Sequence, residues 1–181
     1  MFEYDAQQRP AHPIEIECLL MKPFVFHMPV RVVFGAGRLA ELPGLIPAAL
    51  QRILVVTDPG LTKHGAALNA LGAALAGRTW GVFDEVEETP TFAAADTGAV
   101  RARAFGAQAI IGLGGGSPLD AAKGVALLST NDGTLGEYMT GKRQEHDALP
   151  IIALPTTSGT GSEVTPYAVY TDVDARTKGA I

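Results

Sequence analysis

Two stretches of this chain carry residue types at spacings that could do chemistry. The first is residues 109–126, AIIGLGGGSPLDAAKGVA, a short apolar run that ends in glycines and gives way to helix-compatible text. Gly114, Gly115 and Gly116 remove Cβ atoms where backbone would have to approach a ligand closely. Ser117 suits an N-cap, Pro118 the first helical position, and Asp120 the capping-box carboxylate that reaches back to the cap. A helix starting there offers unpaired N–H groups and a partial positive charge, which together suit a phosphate. The dinucleotide fingerprint G-x-G-x-x-G is not met, because Gly112 and Gly114 are followed by Ser117 where the third glycine belongs. No Walker pattern is present either, since Lys123 lies a full turn inside the helix. An ordinary βα turn with a good cap and no ligand is the competing alternative.

The second stretch is residues 155–166, PTTSGTGSEVTP, in which four threonines, two serines and two glycines follow an apolar run at 149–154. Hydroxyls and accessible N–H groups at a strand end are what a polar ligand requires, although a solvated Ser/Thr loop has the same composition. Ligands of open α/β sheets sit beyond the carboxyl ends of the strands, so two such loops point to one site.

The elements that must position these loops alternate in type. Apolar runs at 53–57, 79–83 and 110–113 read as strands. Leu61, His64, Leu68, Leu71 and Leu75 recur at helical spacing until Gly77, and a second helix passes through Asp96, Val100 and Ala104 to Gly106. Such alternation predicts an α/β fold, a Rossmann-like open and mostly parallel sheet with flanking helices. Before it, 24–26 and 30–34 read as two short strands or one bent edge strand broken at Pro29, and 38–50 as helical text interrupted by Pro43, Gly44 and Pro47. Residues 131–147 are polar and turn-rich. Residues 1–20 lack periodicity and read as a flexible lead-in to a domain spanning 21–181.

Composition narrows the function classes. A chain of 181 residues, 47% hydrophobic and 18% charged, can bury one sizeable core. A net charge of -5 without a basic stripe argues against nucleic acid as a partner. No apolar run approaches a membrane span and the start lacks the pattern of a secretory signal, so a cytoplasmic protein without membrane contact is expected. The single cysteine, Cys18, has no Cys or His at ligand spacing and is read as a spectator.

GLGGGSPLDAAKGVA and IIALPTTSGTGSEVTPYAVYTD together closely resemble the signature stretches of the iron-containing (group III) alcohol dehydrogenases, and VVFGAG and VVTDPG fit as well. The resemblance runs from about residue 21 to 181 and implies the amino-terminal, cofactor-binding half of such an enzyme, with NAD as cofactor. It implies that Asp58 lies near the adenosine ribose, where a carboxylate favours NAD over NADP. Gly115, Gly116 and Ser117 would contact the pyrophosphate, Thr156, Thr157, Thr160 and Thr165 would line the rest of the cofactor, and Lys178 would stand near the nicotinamide. By residue type alone, Lys178 in DARTKGAI reads as a solvated surface charge. The chain departs from the family at Thr89-Pro90-Thr91, where asparagine often precedes the proline in a loop assigned to the adenine side.

The family holds its metal, iron or zinc, with one aspartate and three histidines in a helical carboxyl-terminal half, and His12, His27, His64 and His146 do not match those ligands. His64, on the apolar face of its helix, reads as a packed histidine. No catalytic residue or metal ligand is therefore assigned within the chain, which is expected to bind the cofactor and to be inactive alone. The resemblance implies a small alcohol or aldehyde as substrate, hydride transfer to or from NAD in the complete enzyme, and a homo-oligomer. A metal-independent reductase of the same superfamily and a nucleotide-binding module without catalysis are the alternatives.

Overall fold

A computed structural model describes Met28 and residues 30–172 and 177–181. Residues 1–27, which include the lead-in at 1–20, Cys18 and the apolar run at 24–26, lie outside the described residues. A 3-10 turn at Arg38–Glu41 runs into a short helix α1 (Leu42–Leu45), which stops at Ile46 as the prolines require. Then β1 (Arg52–Val56) leads to helices α2 (Pro59–His64) and α3 (Ala66–Ala74), β2 (Thr79–Phe83), α4 (Phe92–Phe105), β3 (Ala109–Gly114) and α5 (Gly116–Thr130). A short α6 (Leu135–Met139), β4 (Ile151–Pro155) and a hairpin of β5 (Val169–Asp172) with β6 (Thr177–Ala180) complete the order.

The first four strands form one parallel sheet in the order β2-β1-β3-β4, so the α/β expectation is met. The pleat sends alternate residues of β1 to opposite faces. Ile53 and Val55 meet Leu68 and Leu71 of α3 and Leu75, which caps it, on one side. Leu54 and Val56 meet Ala102 of α4 and Ala121, Ala122 and Val125 of α5 on the other. Burial on both faces explains why the strands read as continuous apolar runs. Each large side chain enclosed there, such as Leu71 or Ile110, contributes about 1.5–3 kcal/mol of burial.

Four expectations are corrected. The helical run from Leu61 to Leu75 is two helices, because Gly65 takes a left-handed φ of 71° and ends α2. His64 is therefore the exposed last residue of α2 rather than a packed side chain. Residues 30–34 pair with no strand among the described residues, and Val30, Val32 and Phe34 are exposed. The polar segment 131–147 contains α6, whose Leu135 and Tyr138 close a third cluster over Ala95, Leu128 and Tyr170. No helix among the described residues is long and apolar enough to cross a membrane.

Candidate functional site

The chain passes from β1 outward to β2 and then crosses back over β1 to β3. Between β1 and β3 the connections leave in opposite directions, which opens a crevice at their carboxyl ends. Asp58 stands at the end of β1 and the glycine turn at the end of β3, so the crevice has a carboxylate on one wall and bare backbone on the other. A Cβ on Gly114 would fall 2.6 Å from Pro118 Cγ and 3.4 Å from Asp58 Oδ2, and its φ of 146° disfavours any side chain. Asp58 Oδ1 accepts the N–H of Leu61 at 3.0 Å and caps α2.

The start of α5 differs from the cap expected. Gly115 is the N-cap, with extended backbone and no side-chain cap bond, so Ser117 is already inside the first turn. The helix begins earlier because Gly115 itself takes the cap conformation, and this leaves N–H groups of the first turn without a side-chain acceptor. Ser117 Oγ instead donates to the carbonyl of Glu88 at 2.5 Å. Nor does Asp120 reach back: it meets Lys123 Nζ at 3.0 Å and accepts the N–H of Val169 at 3.0 Å.

Beside this turn lies a cleft of about 260 Å³. Gly116, Ser117, Thr160 and Ser162 form one side, Thr89 and Pro90 border it, and Thr171 with Lys178 come from the hairpin. A Cβ at Gly116 would meet Thr160 Cγ2 at 3.0 Å and Ser162 Oγ at 3.4 Å, so the absence of a side chain there keeps the cleft open. Thr160 Oγ1 accepts the N–H of Ser162 at 3.3 Å, which leaves its hydroxyl proton to donate. Thr171 Oγ1 is buried without a hydrogen-bond partner, a cost that a polar ligand would relieve. A smaller depression of about 190 Å³ beside Phe83 and Thr91 carries Glu85 and Glu87 and no glycine turn, so it is the wrong place for a phosphate.

The structure thus brings Gly116, Ser117, Thr160 and Lys178 together, although they come from three separate segments. Gly115 and Thr157 do not line the cleft; they face each other next to it, a Cβ on Gly115 falling 3.4 Å from Thr157 Oγ1. Thr156 extends β4, with its N–H on the carbonyl of Gly114 at 2.8 Å, and does not line the cleft. Thr165 does not line it either, and its Oγ1 lies 3.4 Å from Lys123 Nζ. The Thr89-Pro90 turn, assigned above to the adenine side, lines the cleft with Lys178, whereas Asp58 does not. Sequence reasoning missed Asp120, Ser162 and Thr171 as lining residues; Ser162 was within reach, being part of the Ser/Thr loop, but nothing local marks Thr171. Among the described residues no group of three or more His, Cys, Asp or Glu could hold a metal ion.

Comparison with known proteins gives a consistent family. The model of the family described as iron-containing alcohol dehydrogenase matches residues 29–181. The 4-hydroxybutyrate dehydrogenase of Cupriavidus necator is 41% identical over 134 residues, covering 72% of this chain and 35% of that protein. Among solved structures, the NADH-dependent butanol dehydrogenase A of Thermotoga maritima superposes with a TM-score of 0.82 at 30% identity, over 89% of this chain and 41% of that one. The sulfoacetaldehyde reductase of Bifidobacterium kashiwanohense, solved in complex with NAD+, also gives 0.82 at 33% identity, over 88% and 43% of the two chains. The chain thus spans well under half the length of these relatives.

Proposed function

The chain belongs to the iron-containing alcohol dehydrogenase family, and from that premise we propose that it is the NAD-binding part of an oxidoreductase that moves hydride between a small alcohol or aldehyde and the nicotinamide. The observation that carries this is the glycine turn at the crevice between β1 and β3, with Asp58 on one side and the cleft holding Lys178 on the other. A phosphate needs bare backbone and open N–H donors, and a dinucleotide needs sites on both sides of them.

Under this reading Asp58 Oδ2 accepts the adenosine ribose hydroxyl while Oδ1 stays on Leu61. The pyrophosphate takes the first N–H groups of α5; Pro118 has none, so Gly115, Gly116 and Ser117 supply them. Ser117 acts through its backbone, because its hydroxyl is committed to Glu88. Thr157, Thr160 and the unpartnered Thr171 offer hydroxyls, and Lys178 brings a cation to the lining of the same cleft. Thr156 and Thr165 support the loop rather than the ligand. The cofactor accepts or donates the hydride when bound, and these residues bind and orient it. The described residues do not fit the family's metal, so no step through a metal is assigned to them.

Titrating the chain with NADH and following nicotinamide fluorescence or heat tests the reading. Saturable binding is expected, and Gly116→Ala should weaken it more than about tenfold because the new methyl occupies the phosphate approach. No binding by the parent, or an unchanged affinity in the variant, would refute it.

A further inference from the structure

Lys123 is a cation next to the cleft that does not line it. Its Nζ meets Asp120 Oδ1 at 3.0 Å, donates to the carbonyl of Tyr167 and lies 3.4 Å from Thr165 Oγ1. Both members of the pair are nearly enclosed, with side chains 14% and 9% exposed. The other oxygen of Asp120 holds the N–H of Val169, the first residue of β5, and its backbone carbonyl accepts the Tyr170 hydroxyl at 2.5 Å. One turn of α5 therefore grips the chain from 165 to 170 as it enters the hairpin. Thr171 follows directly after Tyr170 on the strand, and opposite Thr171 in the register stands Lys178.

We propose that Lys123 is a positioning residue: acting through Asp120 and the Tyr167 carbonyl, it fixes the hairpin against α5 and so holds Lys178 at the cleft. The inference rests on the dinucleotide reading, in which Asp58 and the glycine turn take the ADP half and Lys178 the half beyond. Loss of Lys123 leaves Asp120 as an enclosed carboxylate without its cation and frees the Tyr167 carbonyl, so the segment must move toward water. The glycine turn is covalently part of α5 and does not depend on that grip. Its removal should therefore act on one half of the ligand. A residue that merely stabilised the fold would act on both halves or on neither.

The test is calorimetric titration of the chain with ADP and with NAD, for the parent, Lys123→Met, Lys178→Met and the double variant. We expect Lys123→Met to lower NAD affinity about five- to tenfold and to leave ADP affinity within about twofold. A lost positive field cannot mimic this, because ADP carries more negative charge than NAD and would suffer more. Lys178→Met should reproduce the NAD loss, the double variant should show no further loss, and Lys123→Arg should restore affinity. Lys123→Gln, which keeps a donor for the Tyr167 carbonyl, serves if circular dichroism shows that the methionine variant is unfolded. Equal losses for ADP and NAD, additive losses in the double variant, or no change in either ligand overturn the inference while leaving the dinucleotide reading intact. A parent that binds neither ligand overturns both.

Discussion

Asp58→Asn is the substitution that most sharply isolates the carboxylate on the crevice wall. In the parent, Oδ1 is held by Leu61 N–H and Oδ2 lies beside the glycine turn, so the negative charge cannot swing away from a ligand seated there. A 2′-phosphate about 5 Å from Oδ2 would be repelled by about 0.8–3 kcal/mol per unit charge at effective dielectrics of about 80 down to 20. Partial exposure of Asp58 puts the value toward the low end. The ribose hydroxyl of NAD adds one charge-assisted hydrogen bond of about 1 kcal/mol that the phosphate ester cannot donate. Together these give a preference for NAD over NADP of about 2 kcal/mol, or roughly thirtyfold. Asparagine keeps the oxygen that caps α2 and is as good a cap as aspartate, so stability should change by less than about 0.5 kcal/mol. Titration with NADH and NADPH should then show the preference reduced about tenfold, mostly by improved NADPH binding, and the parent's preference should shrink as salt is added. Asp58→Gly should relax discrimination as far at a small further cost in stability. Equal affinities in the parent, or an unchanged ratio in both variants, refute the role given to Asp58.

Gly114→Ala should destabilise the fold by about 2–4 kcal/mol in denaturant unfolding, since a methyl 2.6 Å from Pro118 must be relieved at a positive φ. Burial raises the Tyr170 hydroxyl above its ordinary value of 10.0. Its protonated form therefore contributes stability that is complete below the ordinary value of 10.0 and is lost progressively as pH rises from there toward the raised folded value; urea midpoints of Tyr170→Phe should be lower at pH 7 and decline less steeply above about pH 10. Deleting residues 1–20 should leave the thermal midpoint within about 2 °C of the parent if the lead-in does not pack on the core; a large drop would contradict that. Added ferrous iron or zinc should yield no NADH from NAD and a short primary alcohol, because the described residues offer no converging ligand set, and metal-dependent turnover by this chain would overturn that assignment.

The four strands of the parallel sheet, the helix end at Gly106, the glycine turn and the Ser/Thr loop were legible in the sequence for local reasons, whereas the β5–β6 hairpin was not and α3 stops at Ala74, short of Gly77. Apolar runs buried on both faces, glycines after helices and hydroxyls after a strand each declare themselves within a few residues. Asp58 was picked out only through the family resemblance; that its side chain also caps α2, with Pro59 in the first turn, was not read from the sequence. The cap of α5 was misplaced because Ser117 and Gly115 are both acceptable caps, and the choice depended on what else Ser117 could bond: Glu88, 29 residues away. Gly65 was read through because the leucines on either side keep helical spacing across it.

What no local pattern contains is adjacency. The order β2-β1-β3-β4 puts Asp58 beside Gly114 although 56 positions separate them, and it follows from which edge of β1 each crossover returns to. Lys178 shows the same limit more plainly. Residue by residue it is a solvated lysine, and it reaches the cleft because β5 and β6 pair and because Asp120 and Lys123 hold that hairpin to α5. The sequence by itself determined the segments and their chemistry, since burial and capping act over a few residues. The tertiary structure alone decided which segments share a cleft, since that depends on strand order and on contacts between distant residues.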